Sequence, residues 1–404
     1  ALNHRDFRLF WSGQLVSLVG RWMQSVGQSW LVLELTGSPL KLGIVNSLQF
    51  APILVLSFLA GAIADRFSKR RLLVLSQATL MVPAFGLAAL TWTGRVEYWH
   101  VVVLATVMGI ANALDMPARQ SMIVELVGKD DLINAIALNS GVFNAARIVG
   151  PAVGGVLIAR YGVAIAFLLN GLTYLPVIAA LLMMRLDPLP RVLRGTTIRA
   201  EIADGLRYAM GSPLVSLILS LVLVVSVFTI NHNVVVPLVA REVLRLDVQG
   251  FGFLMAAVGA GAVVAAAILA QFGRARTPVA ALVAGAVVVS AGLLALAAVR
   301  EFRSAAAVLF VMGLAQILFL SSCNTTLQVT VPDELRGRVM SLYTLAFAGV
   351  SPFGAFLIAG IAEAFGAPAA CAAGGGLGLA CVLAFAARGA RQAALTPAPS
   401  PRAS

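Results

Sequence analysis

The stretch Gly61-Ala-Ile-Ala-Asp65-Arg66-Phe-Ser68-Lys69-Arg70-Arg71 joins two long apolar runs. A basic loop this short, set between such runs, reads as the turn between two membrane helices. Its cations, Arg66, Lys69, Arg70 and Arg71, place it on the cytoplasmic side, because cytoplasmic loops carry the excess of Lys and Arg. Asp65 is a lone acid where the preceding helix ends. Taken alone, the cluster fits an ordinary stop-transfer signal as well, so the rest of the chain has to decide.

Composition decides the class. Sixty per cent of the 404 residues are apolar, 11% are charged, and the mean hydropathy is +0.94. A soluble domain of this length does not look like that, so the chain is read as an integral membrane protein. Its net charge of +12 does not mark a nucleic-acid partner. Of the 29 Lys and Arg, 20 fall in segments assigned to the cytoplasm and 7 in external loops, leaving Arg21 and Arg147 inside spans. That asymmetry is a topology signal, and basic residues facing anionic lipid need no other partner. Cys323, Cys371 and Cys381 lie in apolar runs without metal-ligand or disulfide spacing and read as buried thiols. No cleavable signal peptide is visible.

Twelve apolar runs follow one another, at 11–35, 42–64, 72–93, 99–118, 135–158, 163–184, 214–238, 250–272, 278–299, 304–327, 339–362 and 367–387. Each is long enough for a hydrocarbon core of about 30 Å. Period-two alternation is absent, which argues against an outer-membrane barrel. The fold class expected is therefore all-α, with twelve transmembrane helices in two six-helix bundles. An even number of spans puts both termini on the cytoplasmic side. The expected domains are an N-terminal bundle over 1–184, a linker over 185–213, a C-terminal bundle over 214–387 and a disordered tail over 388–404. Within the linker, Ile198, Ile202, Leu206 and Ala209 recur at helical spacing among charges, as in an interfacial amphipathic helix. The halves resemble each other weakly: Asp130-Asp131-Leu132 heads span 5, Asp333-Glu334-Leu335 heads span 11, and Pro151 corresponds to Pro352. Two repeats around a central cavity are a transporter architecture.

Polar residues inside the spans are the candidate site. On span 1, Gln14, Ser17, Arg21, Gln24, Ser25 and Gln28 share one helical face, beside a seven-residue repeat of Gly13, Gly20 and Gly27. A charge at that depth costs roughly 2.5–3.5 kcal/mol on insertion scales and faces a cavity or a partner. The stripe is expected to line a watery path; the alternative is that Arg21 pairs with backbone carbonyls. On span 5, Ser140, Asn144, Arg147 and Pro151 share a face. The second half offers Asn231, His232, Gln316, Ser321, Ser322, Asn324, Thr325 and Gln328. A mostly apolar cavity with scattered amides and hydroxyls suits an amphipathic organic substrate better than an ion or a sugar. Asp115 and Arg119 lie four apart near the end of span 4 and can pair, either as a gate or protonatable carboxylate or as an interfacial ion pair ending the helix. Either Glu34 or His232 could titrate during transport, although each fits better as a satisfied polar residue.

Two of these patterns carry a family resemblance. The spacing Gly61-x3-Asp65-Arg66-x2-Lys69-Arg70 resembles the helix 2–3 loop of the major facilitator superfamily, with Ser68 where that family usually has Gly. Gly150-Pro151-x2-Gly154-Gly155 resembles the antiporter motif of its exporters. The opening His4-Arg-Asp-Phe-Arg8-Leu-Phe-Trp11-x2-Gln14, the stretch Trp30 to Pro39, and the blocks Asp115–Gln120 and Asn144–Gly155 are similar to one branch, the transmembrane secretion effectors, which holds enterobactin and macrolide exporters. The resemblance implies alternating access driven by protons, with export of drugs or siderophores. It implies that Asp65, with Gly61, Arg66, Lys69 and Arg70, forms a conformational latch against the start of span 11 near Arg338. Many drug–proton antiporters of the superfamily carry an Arg in mid-span 4. Leu104 to Gly109 has none here, so coupling would fall to Arg21, Arg147 or Asp115.

The chain is thus expected to be a secondary transporter of the cytoplasmic membrane that exchanges protons for small amphipathic molecules as a monomer, without nucleic acid, metal or cofactor. Import of a metabolite and lipid flipping keep the same fold, and a non-transporting receptor or scaffold is the reading from another class. Enzyme chemistry is disfavoured: no His-Glu-x2-His, Gly-x-Ser-x-Gly or P-loop pattern occurs.

Overall fold

The computed structural model describes residues 1–128, 131–184, 198–272 and 277–395; within its helices the side chains of 57–66, 124, 133, 198–204 and 389–395 lie outside that description. The first half is built from α1 (Arg5–Thr36), α2 (Pro39–Arg66), α3 (Lys69–Trp92), α4 (Tyr98–Val127), α5 (Leu132–Tyr161) and α6 (Ala164–Met183). A short helix, α7 (Ile198–Gly211), leads to the second half. That half comprises α8 (Pro213–Phe228), α9 (His232–Leu238), α10 (Val248–Phe272), α11 (Val279–Leu296), α12 (Phe302–Thr330), α13 (Asp333–Thr344), α14 (Ser351–Phe365) and α15 (Ala367–Leu395). No strand occurs among the described residues.

Among the described residues, eleven segments are long and apolar enough to cross a membrane, with α8–α9 and α13–α14 each forming one. Helix α1 supplies the twelfth. Its 32 residues reach about 48 Å, but the polar stripe lowers its hydropathy, and it is held by the helices around it. The bundle is therefore an all-α membrane fold of two six-span halves, as the apolar runs indicated.

Several boundaries differ from the sequence reading. Helix α4 runs through Pro117 to Val127 rather than ending at 118, and α15 continues past 387 to Leu395. The first part of the tail expected to be disordered is thus helical; 396–404 lie outside the described residues, as do 185–197 of the linker and 273–276 of the loop after α10. Spans 7 and 11, read as single helices, are both broken. Between α8 and α9 the chain leaves helical geometry at Asn231, whose side-chain amide donates to the Val227 carbonyl at 2.8 Å. A π-helical turn follows at Val239–Val243, and another at Leu345–Gly349 joins α13 to α14. Asn231 and His232 are buried, so the irregular backbone is shielded by protein, the condition under which a membrane tolerates it.

Apolar packing shows how the halves sit. At the end of the bundle remote from the basic loops, one continuous core draws on both halves: Leu33, Leu42 and Phe167 from the first, Val236, Leu254 and Ile358 from the second. At the basic end the cores are separate. Phe7, Phe10, Leu73, Met122 and Leu181 form one within the first half, and Ile218, Phe319, Val339 and Tyr343 form another within the second. Among the described residues, then, the halves share a core at the far end and none at the basic end. Two helix pairs make the closure, α2 with α14 and α5 with α10.

Both pairs are packed through glycine. A Cβ on Gly43 would lie 2.3 Å from that of Ala359, and one on Gly252 would lie 2.4 Å from the Pro151 carbonyl oxygen. Helix α7 docks on the second half at the basic end: Tyr208 and Ala209 join its core while Leu206 and Met210 stay exposed. Of the apolar face expected from the sequence, Ala209 is thus turned to the protein and Leu206 away from it.

Candidate transport site

The polar stripe of α1 divides into two environments. Gln14, Ser17, Gln24 and Gln28 are buried within protein, whereas Arg21 and Ser25 are partly exposed. Gln24 accepts a hydrogen bond from Asn170 of α6 and points its amide at the Met108 sulfur of α4, 3.0 Å away. Gln28 donates to Gln49 of α2 at 2.9 Å. Burial takes Gln14, Ser17, Gln24 and Gln28 out of the watery path expected along the whole stripe and leaves only Arg21 and Ser25 accessible; the amides of Gln24 and Gln28 tie α1 to its neighbours. Asn170 and Gln49 take part through contacts that no sequence spacing announced, since they are remote in the chain.

Gly13 and Gly20, beside the stripe, face α6. A Cβ on Gly20 would meet Thr173 Oγ1 at 2.4 Å. That close approach brings Gln24 within reach of Asn170.

Asp115 is buried inside the first half at 3% exposure. Arg119 grips it with two nitrogens, Nε at 2.8 Å and Nη2 at 3.0 Å. Ser76 Oγ donates at 3.0 Å and Gln77 Nε2 at 2.6 Å, both from α3. The reading of this pair as an interfacial bridge ending the helix is corrected, because α4 continues for two more turns and the carboxylate lies in the bundle core. With four donors converging on one carboxylate, the arrangement ties α3 to α4. Arg119 also lies over the Phe10 ring, 5.7 Å from its centroid.

The centre of the molecule is formed by both halves. Arg147 of α5 lies 5.8 Å over the Trp22 ring of α1, and Trp22 meets Phe143 edge-on at 6.0 Å. From the second half, His232 Nε2 and Gln316 Oε1 are 2.7 Å apart. His232 lies within Coulombic reach of Arg147, and Arg21 within reach of Asp115 and Tyr174. Asn144 is turned onto its own helix, donating to the Ser140 carbonyl, and Asn324 accepts from Gln328 at 2.5 Å. Glu34 is exposed at the far end of α1 and makes no hydrogen bond or ion pair with the described residues.

The Gly-Pro block of α5 has two faces. Gly150 and Gly154 pack on α1, where a Cβ would lie 2.4 Å from that of Trp22 and 3.1 Å from the Met23 Cα. Pro151 and Gly155 face α10 across the halves. Pro151 has no N–H, so the Arg147 carbonyl loses its helical partner. That carbonyl abuts Gly259 of α10, where a Cβ would stand only 2.6 Å from it.

Of the expected latch, Lys69 pairs with Glu125, and Arg70 Nη2 donates to the Leu182 carbonyl at 2.5 Å. Both contacts stay inside the first half. Gly61, Asp65 and Arg66 lie outside the residues whose side chains are described.

Residues 1–399 match the family described as transmembrane secretion effector. Among curated relatives, the chain is 27% identical over 368 residues to the staphyloferrin A transporter of Staphylococcus aureus, covering 89% of this chain and 90% of that one. It is 26% identical to the multidrug efflux pump Tap of Mycolicibacterium fortuitum, covering 87% and 88%, and 24% identical to the enterobactin exporter EntS of Shigella flexneri, covering 93% and 90%. Among solved structures, the nucleoside transporter NupG superposes with a TM-score of 0.72 at 12% identity, covering 95% of this chain and 98% of that one. A bacterial homologue of the lysosomal transporter Spinster, in an inward-facing state, superposes with a TM-score of 0.66 at 15% identity over 98% of both chains. These likenesses establish the fold. With the match over nearly its whole length, the chain belongs to the transmembrane secretion effector family and is a transporter of the major facilitator type, not an enzyme.

Proposed function

We propose that this transporter exports small amphipathic molecules, of the drug or siderophore kind, by proton-coupled alternating access in the cytoplasmic membrane. The observation that carries the reading is the asymmetry of the cores: one shared core at the far end, two separate cores at the basic end. A molecule closed at one end and parted at the other has one half of an alternating-access cycle built. The excess of Lys and Arg on the basic loops puts the open end, and both termini, in the cytoplasm. An exporter in that state is ready to load.

The central residues fit the task. Trp22 and Phe143 offer flat apolar surface, while Arg147, His232 and Gln316 offer polar handles. Names of relatives that transport staphyloferrin A, pump drugs or export enterobactin support the substrate range. Both halves of one chain complete the centre, so a monomer suffices. Asp115 and His232 are the buried groups on which proton coupling is placed, with Asp65 as the latch of the opposite state. Efflux assayed in energised inverted vesicles, with and without a protonophore, tests the reading. Protonophore-sensitive uptake of an amphipathic probe is expected; uptake that runs only down the probe's own gradient would overturn proton-coupled export.

A further inference from the structure

Arg8 belongs to the opening stretch of α1, which neither the central site nor the closure at the far end employs. It is exposed, and its side chain makes no hydrogen bond or ion pair with the described residues. Asp6 lies on the other side of the helix and pairs with Arg5. Asp131, at the head of α5, is held by His4 at 2.8 Å.

Toward the middle of the membrane, the same face of α1 meets a groove. At 100° per residue, Arg8, Leu15, Val16 and Val19 fall within about 100° of each other, opposite the polar stripe of Gln14, Ser17 and Gln24. Leu15, Val16 and Val19 wall a cavity of about 480 Å³ together with Val153 and Leu157 of α5 and Leu172 of α6. Leu15, Val16, Val153 and Leu172 are exposed, so the groove lies on the outside of the bundle, where lipid is. It follows α1 for about 12 Å, from Leu15 to Met23. The hydroxyl in its lining, on Thr173, is turned onto its own helix and donates to the Asn170 carbonyl at 2.7 Å. The groove therefore offers hydrocarbon contact along its length and a free cation beyond its basic end.

We propose that this groove between α1, α5 and α6 holds an acyl chain of a phospholipid with a net negative headgroup, whose phosphate Arg8 engages. Arg8 stands about 10 Å along the axis from Leu15, and its long stem carries the guanidinium to headgroup level while the groove takes the chain. Paired guanidinium donors suit phosphate oxygens. Anionic lipid is a feature of the cytoplasmic leaflet, the side to which the basic loops are assigned. Val153 and Leu157 lie on the side of α5 away from Gly155, which packs on α10. The bound chain thus braces, from outside, a helix that joins the two halves. The inference holds whichever way the transporter works.

The test uses purified full-length protein, delipidated in neutral detergent, with native mass spectrometry to count bound dioleoylphosphatidylglycerol or dioleoylphosphatidylcholine across a titration. One phosphatidylglycerol is expected to bind about fivefold more tightly than phosphatidylcholine. Arg8→Gln is expected to abolish that preference. Arg71→Gln, which removes an exposed cation from the loop after α2, is expected to leave it. Val16→Trp fills the groove and is expected to weaken both lipids without changing their ratio. Should that variant fail to fold, Leu172→Trp fills the groove from α6. Equal affinity of the two lipids for the unmodified protein would overturn the proposal. So would equal losses from Arg8→Gln and Arg71→Gln, which would mean a general attraction to the basic end. Displacement of the lipid by millimolar inorganic phosphate would make Arg8 a site for the free anion. A dimer in detergent that Val16→Trp splits would make the groove a contact between two copies. Either of these results also removes the lipid site.

Discussion

Glu363 of the second half caps the first turn of α2 in the first half: its Oε2 accepts from Ser38 Oγ at 2.7 Å and from the Leu40 amide at 3.0 Å. A carboxylate at a helix N-terminus meets both the orphan amides and the positive end of the helix dipole. Here the cap bridges the two halves at the closed end. Its stabilisation therefore applies only while that end stays shut. Glu363→Ala is expected to shift the population toward opening at the far end, by about fivefold for a contribution of about 1 kcal/mol. Distances between spin labels on the far ends of α2 and α14 report it. An unchanged distance distribution would refute this role for the Glu363 cap.

Gly252 and Gly313 make a matched pair of tests. A Cβ on Gly252 would strike the Pro151 carbonyl, across the halves; one on Gly313 would stand 2.0 Å from the Val258 oxygen, within the second half. Over-packing costs about 1–3 kcal/mol in either place. Gly252→Ala relieves its clash when the far end opens, so it should alter the conformational distribution while the folded yield holds. Gly313→Ala has no such escape and should lower the thermal midpoint. Size-exclusion profiles after heating, read beside label accessibility at the far end, distinguish the two.

Asp115→Asn removes the partner of a buried guanidinium. Breaking such a pair destabilises by about 3–5 kcal/mol, so a large drop in folded protein is expected. Asp115→Leu with Arg119→Met replaces both charges by apolar groups and should recover most of the loss. If Asp115→Asn alone folds normally and transports without regard to a protonophore, the carboxylate carries the proton and its structural role is secondary.

Asp65→Asn should slow transport without reducing membrane insertion. The expected latch acts in the opposite state, when the basic end is closed. Lys69 and Arg70 are engaged within their own half, with Glu125 and the Leu182 carbonyl, and so are free of the second half here. Normal turnover by this variant, measured against protein abundance in the membrane, would remove Asp65 from the cycle.

The amino-acid sequence by itself determined the class, the count of spans and the division into halves. Those follow from runs of apolar residues and from where Arg and Lys fall, properties that the bilayer imposes locally on each segment. It also located the Gly-Pro block, because close helix contact demands small side chains at fixed spacing. The partners were decided only by tertiary structure. Gln24 with Asn170, Asp115 with Ser76 and Gln77, and Glu363 with Ser38 join residues from 38 to 325 positions apart, and no local period encodes such meetings. The broken spans were not read from the sequence: Asn231, His232 and Asn233 form a polar run inside an apolar span, but polar residues also lie within unbroken helices such as α1, and only the surrounding protein, which can shelter freed backbone groups, decides between the two.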